Sequence, residues 1–254
     1  LEDEGITAFI SLEPCYGGCD IREGDATALG CDAILHVGHT DFGVKTKVPV
    51  VYSEYRIDAD PVPVLERGME AFKGVKRVCL VGTVQYVGSL DRAKRYLEER
   101  GYKVLVERGE RMKYPGQILG CDISSATRCR EVDAYVFIGS GRFHPEGILK
   151  ATERPVIVVD VEKGEVERLN PDKKKEEIKR RLLAEKLRKF KRFGIMVSTK
   201  PGQMRIRKAE MVRDRLRKMG KEAYIFVFDE ITGEKIMGQE VDCLVNTACP
   251  RIKE

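Results

Sequence analysis

Eight cysteines stand in a 254-residue chain that contains no tryptophan and three histidines. Thiols of this kind can ligate metal, pair as disulfides or sit inertly in a core, and their spacing helps to decide which. Cys15 and Cys19 enclose a Tyr-Gly-Gly turn in PCYGGCD, Cys121 follows Gly120 in YPGQILGC, and Cys249 precedes Pro250 in NTACPRI. These four occupy loop contexts. Cys79 in RVCLVG and Cys243 in VDCLVN lie inside apolar runs and read as buried strand residues; Cys31 heads a third such run and reads as core. Cys129 falls in SSATRCRE, a helical stretch that assigns it no role. A zinc ribbon would set its cysteines in close pairs along the chain. Here one loop thiol comes from each of three distant regions, with Cys15 and Cys19 as alternatives for the first. Three such thiolates suit a [4Fe–4S] cluster with one iron left open, which is a catalytic arrangement rather than an electron carrier alone.

Parallel sheets would have to bring those loops together. CDAILHVGHTDFG, VDAYVFIGSGRFHPEG and VDCLVNTACPRI rhyme: each opens near an Asp, runs through an apolar stretch and ends in a loop of small residues. Apolar runs bounded by turns suit buried parallel strands. A second rhyme pairs Arg77 to Glu107 with Phe193 to Val227, both reading as strand, Gly-containing loop, amphipathic helix, Gly stop and strand. Leu90, Ala93, Tyr96 and Leu97 share one face of the helix expected over 90–100; Ala209, Val212, Leu216 and Met219 share one face over 204–219. Gly101 and Gly220 supply the stops.

The expected fold is therefore α/β, with three similar small domains in a pseudo-threefold triangle around a central cluster. They span 1–63, lacking its opening βα unit, then 64–168 and 169–254. The charged segment Lys173 to Phe190 marks entry to the third. Its stripe of Ile178, Leu182, Leu183, Leu187 and Phe190 is expected to pack on the body, leaving the basic residues as a solvated face. Ligands of such sheets gather beyond the carboxyl ends of the strands. STKPGQ, Ser198 to Gln203, stands there with amides and hydroxyls suited to a carboxylate. His39 and Thr40 follow the first repeat strand, and His144 lies in the matching loop of the second. His36, inside its apolar run, reads as a hydrogen-bonded core residue, and Gln117 sits beside Cys121. IGSGR, from Ile138 to Arg142, is an incomplete phosphate cradle.

Lys and Arg exceed Asp and Glu by 46 to 41, too small a surplus to argue for nucleic acid. No run is apolar and long enough for a membrane helix, and the opening LEDEGITAFISL lacks a signal peptide's basic and apolar regions. That opening reads as the tail of a helix and then a strand. A cytoplasmic setting is expected, in which disulfides are rare outside thermophiles.

Taken in order, PCYGGCD, ALGCDAILHVGHTDF, YPGQILGC, GIMVSTKPGQ and VNTACPRI resemble archaeal diphthamide synthase, an iron–sulfur family spread over nearly this whole chain. The resemblance implies a homodimer whose subunits each join three α/β domains around a [4Fe–4S] cluster. It implies transfer of the 3-amino-3-carboxypropyl group of S-adenosylmethionine to a histidine of translation elongation factor 2, with an external electron donor. It assigns Cys19, Cys121 and Cys249 as ligands, taking Cys19 over Cys15 on the Tyr-Gly-x-Cys portion. It turns His39, Ser198, Thr199, Lys200, Gly202 and Gln203 toward S-adenosylmethionine. The compact Cys-x3-Cys-x2-Cys motif of ordinary radical S-adenosylmethionine enzymes is absent. After Cys-Pro-Arg-Ile the family continues with an Ile-Asp segment, where this chain has Lys253 and Glu254. The rival readings are a quinolinate synthase-like cluster dehydratase and a non-catalytic metal-thiolate scaffold.

Overall fold

The computed structural model describes residues 2–252; Leu1, Lys253 and Glu254 lie outside the described residues. Among the described residues, ten strands form three separate sheets. The first pairs β1 (Ile34–Val37) with β2 (Val50–Ser53) in parallel, Ile34 opposite Val50. The second has β3 (Arg77–Gly82), β4 (Lys103–Leu105), β5 (Ala134–Gly139), β6 (Val156–Asp160) and β7 (Glu165–Leu169), in the order β4-β3-β5-β6-β7. The third sets β8 (Arg192–Ser198) between β9 (Glu222–Phe228) and β10 (Cys243–Asn246). The helices are α1 (Glu23–Ala28), α2 (Val62–Arg67), α3 (Leu90–Glu99), α4 (Ser124–Arg128), α5 (Phe143–Thr152), α6 (Lys173–Lys189), α7 (Ile206–Lys218) and α8 (Gly233–Ile236).

The rhyme in the sequence is a repeat in topology. In β4-β3-β5 and in β9-β8-β10 the central strand is flanked by its own βα partner and by the Asp-headed strand, all parallel. The repeated Asp has a structural task. Asp133 accepts hydrogen bonds from the amides of Lys76 (2.9 Å) and Arg77 (2.7 Å). Asp242 does the same for Lys191 (2.7 Å) and Arg192 (2.8 Å). Each carboxylate thereby registers its strand against the central one. Those amide bonds hold the Asp133 carboxyl below its ordinary value. Its stabilisation is present above the unfolded carboxylate pKa of about 4 and is lost as pH falls through the lower folded value. Asp133→Asn should cost on the order of 1 kcal/mol at pH 7 by urea unfolding, with the difference closing under acid.

The second sheet is buried on both faces. Val136 and Ile138 pack with Leu80, Leu90, Ala93, Tyr96 and Leu97 on one side, while Tyr135 and Phe137 pack with Val81, Ala126 and Ile148 on the other. The period-two alternation of one apolar run feeds both layers. The expected face of α3 is fully realised.

Several expectations need correction. The opening residues form a 3-10 turn at Glu2–Glu4 and then unpaired chain rather than a helix tail and strand. Cys31 precedes β1 and is half-buried, because the strand begins only at Ile34. Met219 is the C-cap of α7 and 64% exposed, since the helix ends at Lys218. Leu187 and Phe190 reach the third core, but Ile178, Leu182 and Leu183 on α6 stay half or more exposed, so only the last turn packs on the body. Cys79 is fully buried as expected but is joined to Cys129 as a disulfide, fixing β3 to the end of α4. The helical stretch places Cys129 under the sheet, where Cys79 points. The edge strand β7 runs antiparallel to β6, after the turn at Gly164 (φ 71°).

Candidate functional site: three loop thiols beside a charged cleft

Cys19 lies in the loop before α1, Cys121 in the loop after β4 and Cys249 in the loop after β10. Burial raises the Cys19 thiol, an effect opposed by the Gln203 side chain and reinforced by Cys121 and Cys249. Burial likewise raises Cys121, again with Cys249 adding to the rise. Cys121 and Cys249 are thus neighbours of Cys19, and Cys249 a neighbour of Cys121. Among the described residues, Cys15, His36 and His39 are the trio whose ligand atoms fall within 4.8 Å of one another. The three loop thiols do not form such a group, so their sulfurs are not all within that distance of one another.

Cross-loop contacts hold this arrangement. Gly202 N donates to Cys19 O at 2.9 Å, and a Cβ on Gly202 would lie 2.4 Å from the Cys19 Cβ. Lys200 Nζ donates to Asp20 Oδ2 at 2.6 Å, with both side chains buried. Between the first and second units, Gln117 Nε2 donates to Thr40 Oγ1 at 2.8 Å while its Oε1 accepts from the amides of Lys113 and Tyr114. Gly18 lets the loop close, since a Cβ there would lie 2.4 Å from Thr40 O. The Cys249 loop is tied back by Asn246, which donates to Cys249 O at 2.8 Å and accepts from Ala248 N.

Two of the thiols also receive N–H donors. Gln203 Nε2 lies 3.5 Å from Cys19 Sγ, and Arg251 N lies 3.4 Å from Cys249 Sγ. Such donors to sulfur tune the potential of a cluster, so the donor set and its surroundings fit a three-cysteine [4Fe–4S] group.

A cleft of about 360 Å³ opens beside Cys249, within the range of small-molecule sites. Of the residues expected there, Ser198, Lys200 and Gln203 line it. Thr199 faces an adjoining cleft with Asp20, Arg22 and Asp229. Gly202 backs Cys19, and His39 stands with Cys15 and His36. The amides expected to take a carboxylate are used within the protein. Thr199 N binds Phe228 O, Lys200 N binds Ser198 Oγ, Gly202 N binds Cys19 O and Gln203 N binds Lys200 O. The STKPGQ turn thus braces the site rather than presenting an anion cradle.

The cleft instead brings forward Tyr16, Asp229, Glu230 and Arg251. Tyr16 OH donates to Glu230 at 3.0 Å, and Arg22 pairs with Asp229 at 3.1 Å. The Arg251 guanidinium lies over the rings of Tyr16 (5.9 Å) and Phe143 (5.7 Å). These residues carry a signal in the sequence: the Asp-Glu pair follows an apolar strand directly, and Arg251 stands two positions after Cys249. His144 is stacked on Phe137, and burial lowers it to about 4, so it is neutral at pH 7. Burial also lowers His36 and His39.

The sequence model of the diphthamide synthesis protein family matches residues 1–253. The chain is 33% identical to 2-(3-amino-3-carboxypropyl)histidine synthase of Pyrococcus horikoshii, over 99% of this chain and 73% of that protein. It is 30% identical to subunit 1 of the same-named enzyme of Schizosaccharomyces pombe, spanning 58% of its length, and 30% identical to human subunit 1, spanning 55%. The crystal structure of Dph2 from Pyrococcus horikoshii superimposes with a TM-score of 0.91 at 32% identity, over 99% of this chain and 74% of that one. The structure of that protein with a 4Fe-4S cluster gives 0.89, over 99% and 73%. With its α/β architecture, loop thiols and nearly end-to-end match, this chain belongs to the diphthamide synthesis family.

Proposed function

We propose that the chain transfers the 3-amino-3-carboxypropyl group of S-adenosylmethionine to the imidazole carbon between the two nitrogens of a histidine in translation elongation factor 2. The observation that supports this reading is that Gln203 reaches Cys19 Sγ and lines, with Cys249, a cleft bearing both signs of charge. The units 1–63, 64–168 and 169–254 each give one thiol, and together they would hold a [4Fe–4S] cluster. When bound, that cluster supplies the electron that makes a carbon–sulfur bond of the sulfonium labile.

The chain's own residues decide which bond is exposed to that chemistry, because orientation selects among the three carbon–sulfur bonds. Arg251 is suited to the cosubstrate's carboxylate, since Lys200 is already committed to Asp20. Asp229 and Glu230 are suited to its ammonium or hydroxyl groups. Ser198 and Gln203 line the cleft with Arg251, and Gln203 reaches Cys19 Sγ. In the net reaction the Cγ–S bond breaks, a bond from Cγ to the imidazole carbon forms, the hydrogen on that carbon leaves as a proton, and the electron used for cleavage is given back, so there is no net reduction. Methylthioadenosine departs. A homodimer, an external electron donor and a cytoplasmic setting belong to the same reading. Among the described residues no helix is long and apolar enough to cross a membrane. Family membership favours this reading over the quinolinate synthase-like and metal-scaffold alternatives.

The test is anaerobic incubation of reconstituted protein with dithionite and S-adenosylmethionine. Methylthioadenosine should form without 5′-deoxyadenosine; unchanged S-adenosylmethionine would sink the reading. Arg251→Ala should raise the KM for S-adenosylmethionine about 100-fold, as removal of a charge-assisted contact worth about 1.5–3 kcal/mol allows at its upper end.

A further inference from the structure

Outside the three-thiol site, we infer that Cys15, His36 and His39 form a separate zinc site. His36 Nε2 lies 3.1 Å from His39 Nδ1 and 3.8 Å from Cys15 Sγ. All three ligand atoms are within 4.8 Å of one another. A tetrahedral zinc with bonds of about 2.3 Å to sulfur and 2.0–2.1 Å to nitrogen spaces its donor atoms roughly 3.3–3.6 Å apart. Two of the separations, 3.1 and 3.8 Å, bracket that spacing, and the third is within 4.8 Å.

A hydrogen bond accounts for the His36–His39 pair but not for the thiol that stands beside it. The Cys15 thiol has other acceptors, Asp20 O at 3.5 Å and Gly17 O at 3.8 Å, so it does not need an imidazole partner. His36 Nε2 carries either one proton or one lone pair, so it can serve one of its two close neighbours but not both. A cation at the centre takes a lone pair from all three. One thiolate and two imidazoles form a borderline-soft set suited to zinc, and three protein ligands leave a fourth position for water. Binding displaces the thiol proton to solvent.

The three residues come from two segments, the loop that carries Cys19 and the end of β1. A zinc here pins the Tyr-Gly-Gly turn to the first sheet and so fixes the approach of Cys19. It separates the two cysteines of PCYGGCD into an anchor and a cluster ligand.

The test measures zinc, iron and sulfide together in full-length protein prepared anaerobically, loaded with zinc chloride and passed through a weak chelator. Wild type should keep about one zinc per chain. The combined Cys19→Ala, Cys121→Ala and Cys249→Ala variant should keep it too. Cys15→Ser, at an exposed position, and His39→Ala should each weaken zinc by at least on the order of 100-fold, the upper end for loss of even a supporting group. Cobalt(II) in wild type should give a sulfur-to-cobalt charge-transfer band that Cys15→Ser abolishes. Zinc that survives Cys15→Ser, or that leaves only with the other three cysteines, overturns the assignment. So does wild type that holds no zinc, or holds iron or copper at this position instead. Because zinc is read without S-adenosylmethionine, its loss is distinguishable from failure of the proposed activity.

Discussion

Replacing Lys200 with Met should destabilise the protein by about 3–5 kcal/mol, the cost of stranding a buried charge. The ammonium lies 2.6 Å from Asp20 Oδ2, and the two side chains are 5% and 1% exposed. Asp20 Oδ1 is already buried without a hydrogen-bond partner. Once Lys200 is removed, the Tyr16 amide at 3.2 Å is the donor that remains to the carboxylate. Breaking such a pair costs more than the pair contributes, so Asp20→Asn combined with Lys200→Met should recover much of the loss. Urea unfolding of both variants is the check. A loss below about 1 kcal/mol for Lys200→Met would show the pair to be solvated. The effect extends to the site because Asp20 adjoins Cys19 in the chain.

The second large effect is expected from Gly202→Ala. The added methyl would sit 2.4 Å from the Cys19 Cβ, 2.6 Å from its Cα and 2.8 Å from its carbonyl oxygen. Those are backbone and near-backbone atoms that no rotamer change moves aside. Relief requires the STKPGQ turn to back away, lengthening the amide bond from Gly202 to Cys19 and withdrawing Gln203 from the sulfur. A displacement of about 1 Å at a reacting centre can cost on the order of 100-fold in rate, so methylthioadenosine formation should fall by that order. Overpacking should cost about 1–3 kcal/mol in stability as well. Gly147→Ala, where a Cβ meets nothing within 4 Å, is the control and should leave the rate unchanged. Equal rates for Gly202→Ala and the control would remove Gly202 from the site.

Much of the scaffold was legible because the chain repeats itself. The apolar runs after Asp133 and Asp242 announced parallel strands, and their carboxylates prove to be the clamps that register them. The α3 face could be read from Leu90, Ala93, Tyr96 and Leu97 because period and burial coincide over the whole helix. In α6 they do not: a stripe shows which face is apolar, not whether anything covers Ile178, Leu182 and Leu183. The elements expected from the sequence do not include β7 although its EVERL alternates, and the unit boundary at 168 falls inside it.

At the site, the loop cysteines were visible because thiols in loops are conspicuous. The uses of their neighbours were not. The resemblance turns Lys200 toward S-adenosylmethionine, whereas the fold sets buried Asp20 against it, a contact 180 residues away in sequence. Cys79 reads as a core residue and Cys129 is left without a role, because a pairing between a strand and a helix end depends on tertiary geometry. Arg251 and the Asp229–Glu230 pair carried weak local signals that only the cleft makes specific.

Iron and acid-labile sulfide in the single variants Cys19→Ala, Cys121→Ala, Cys249→Ala and Cys15→Ala, each reconstituted anaerobically beside wild type, test the central claim most directly. Wild type should hold about four irons and four sulfides per chain. The first three variants should each lose most of both, while Cys15→Ala keeps most of its iron. A full cluster in any of the first three, or its loss from Cys15→Ala alone, would contradict the account.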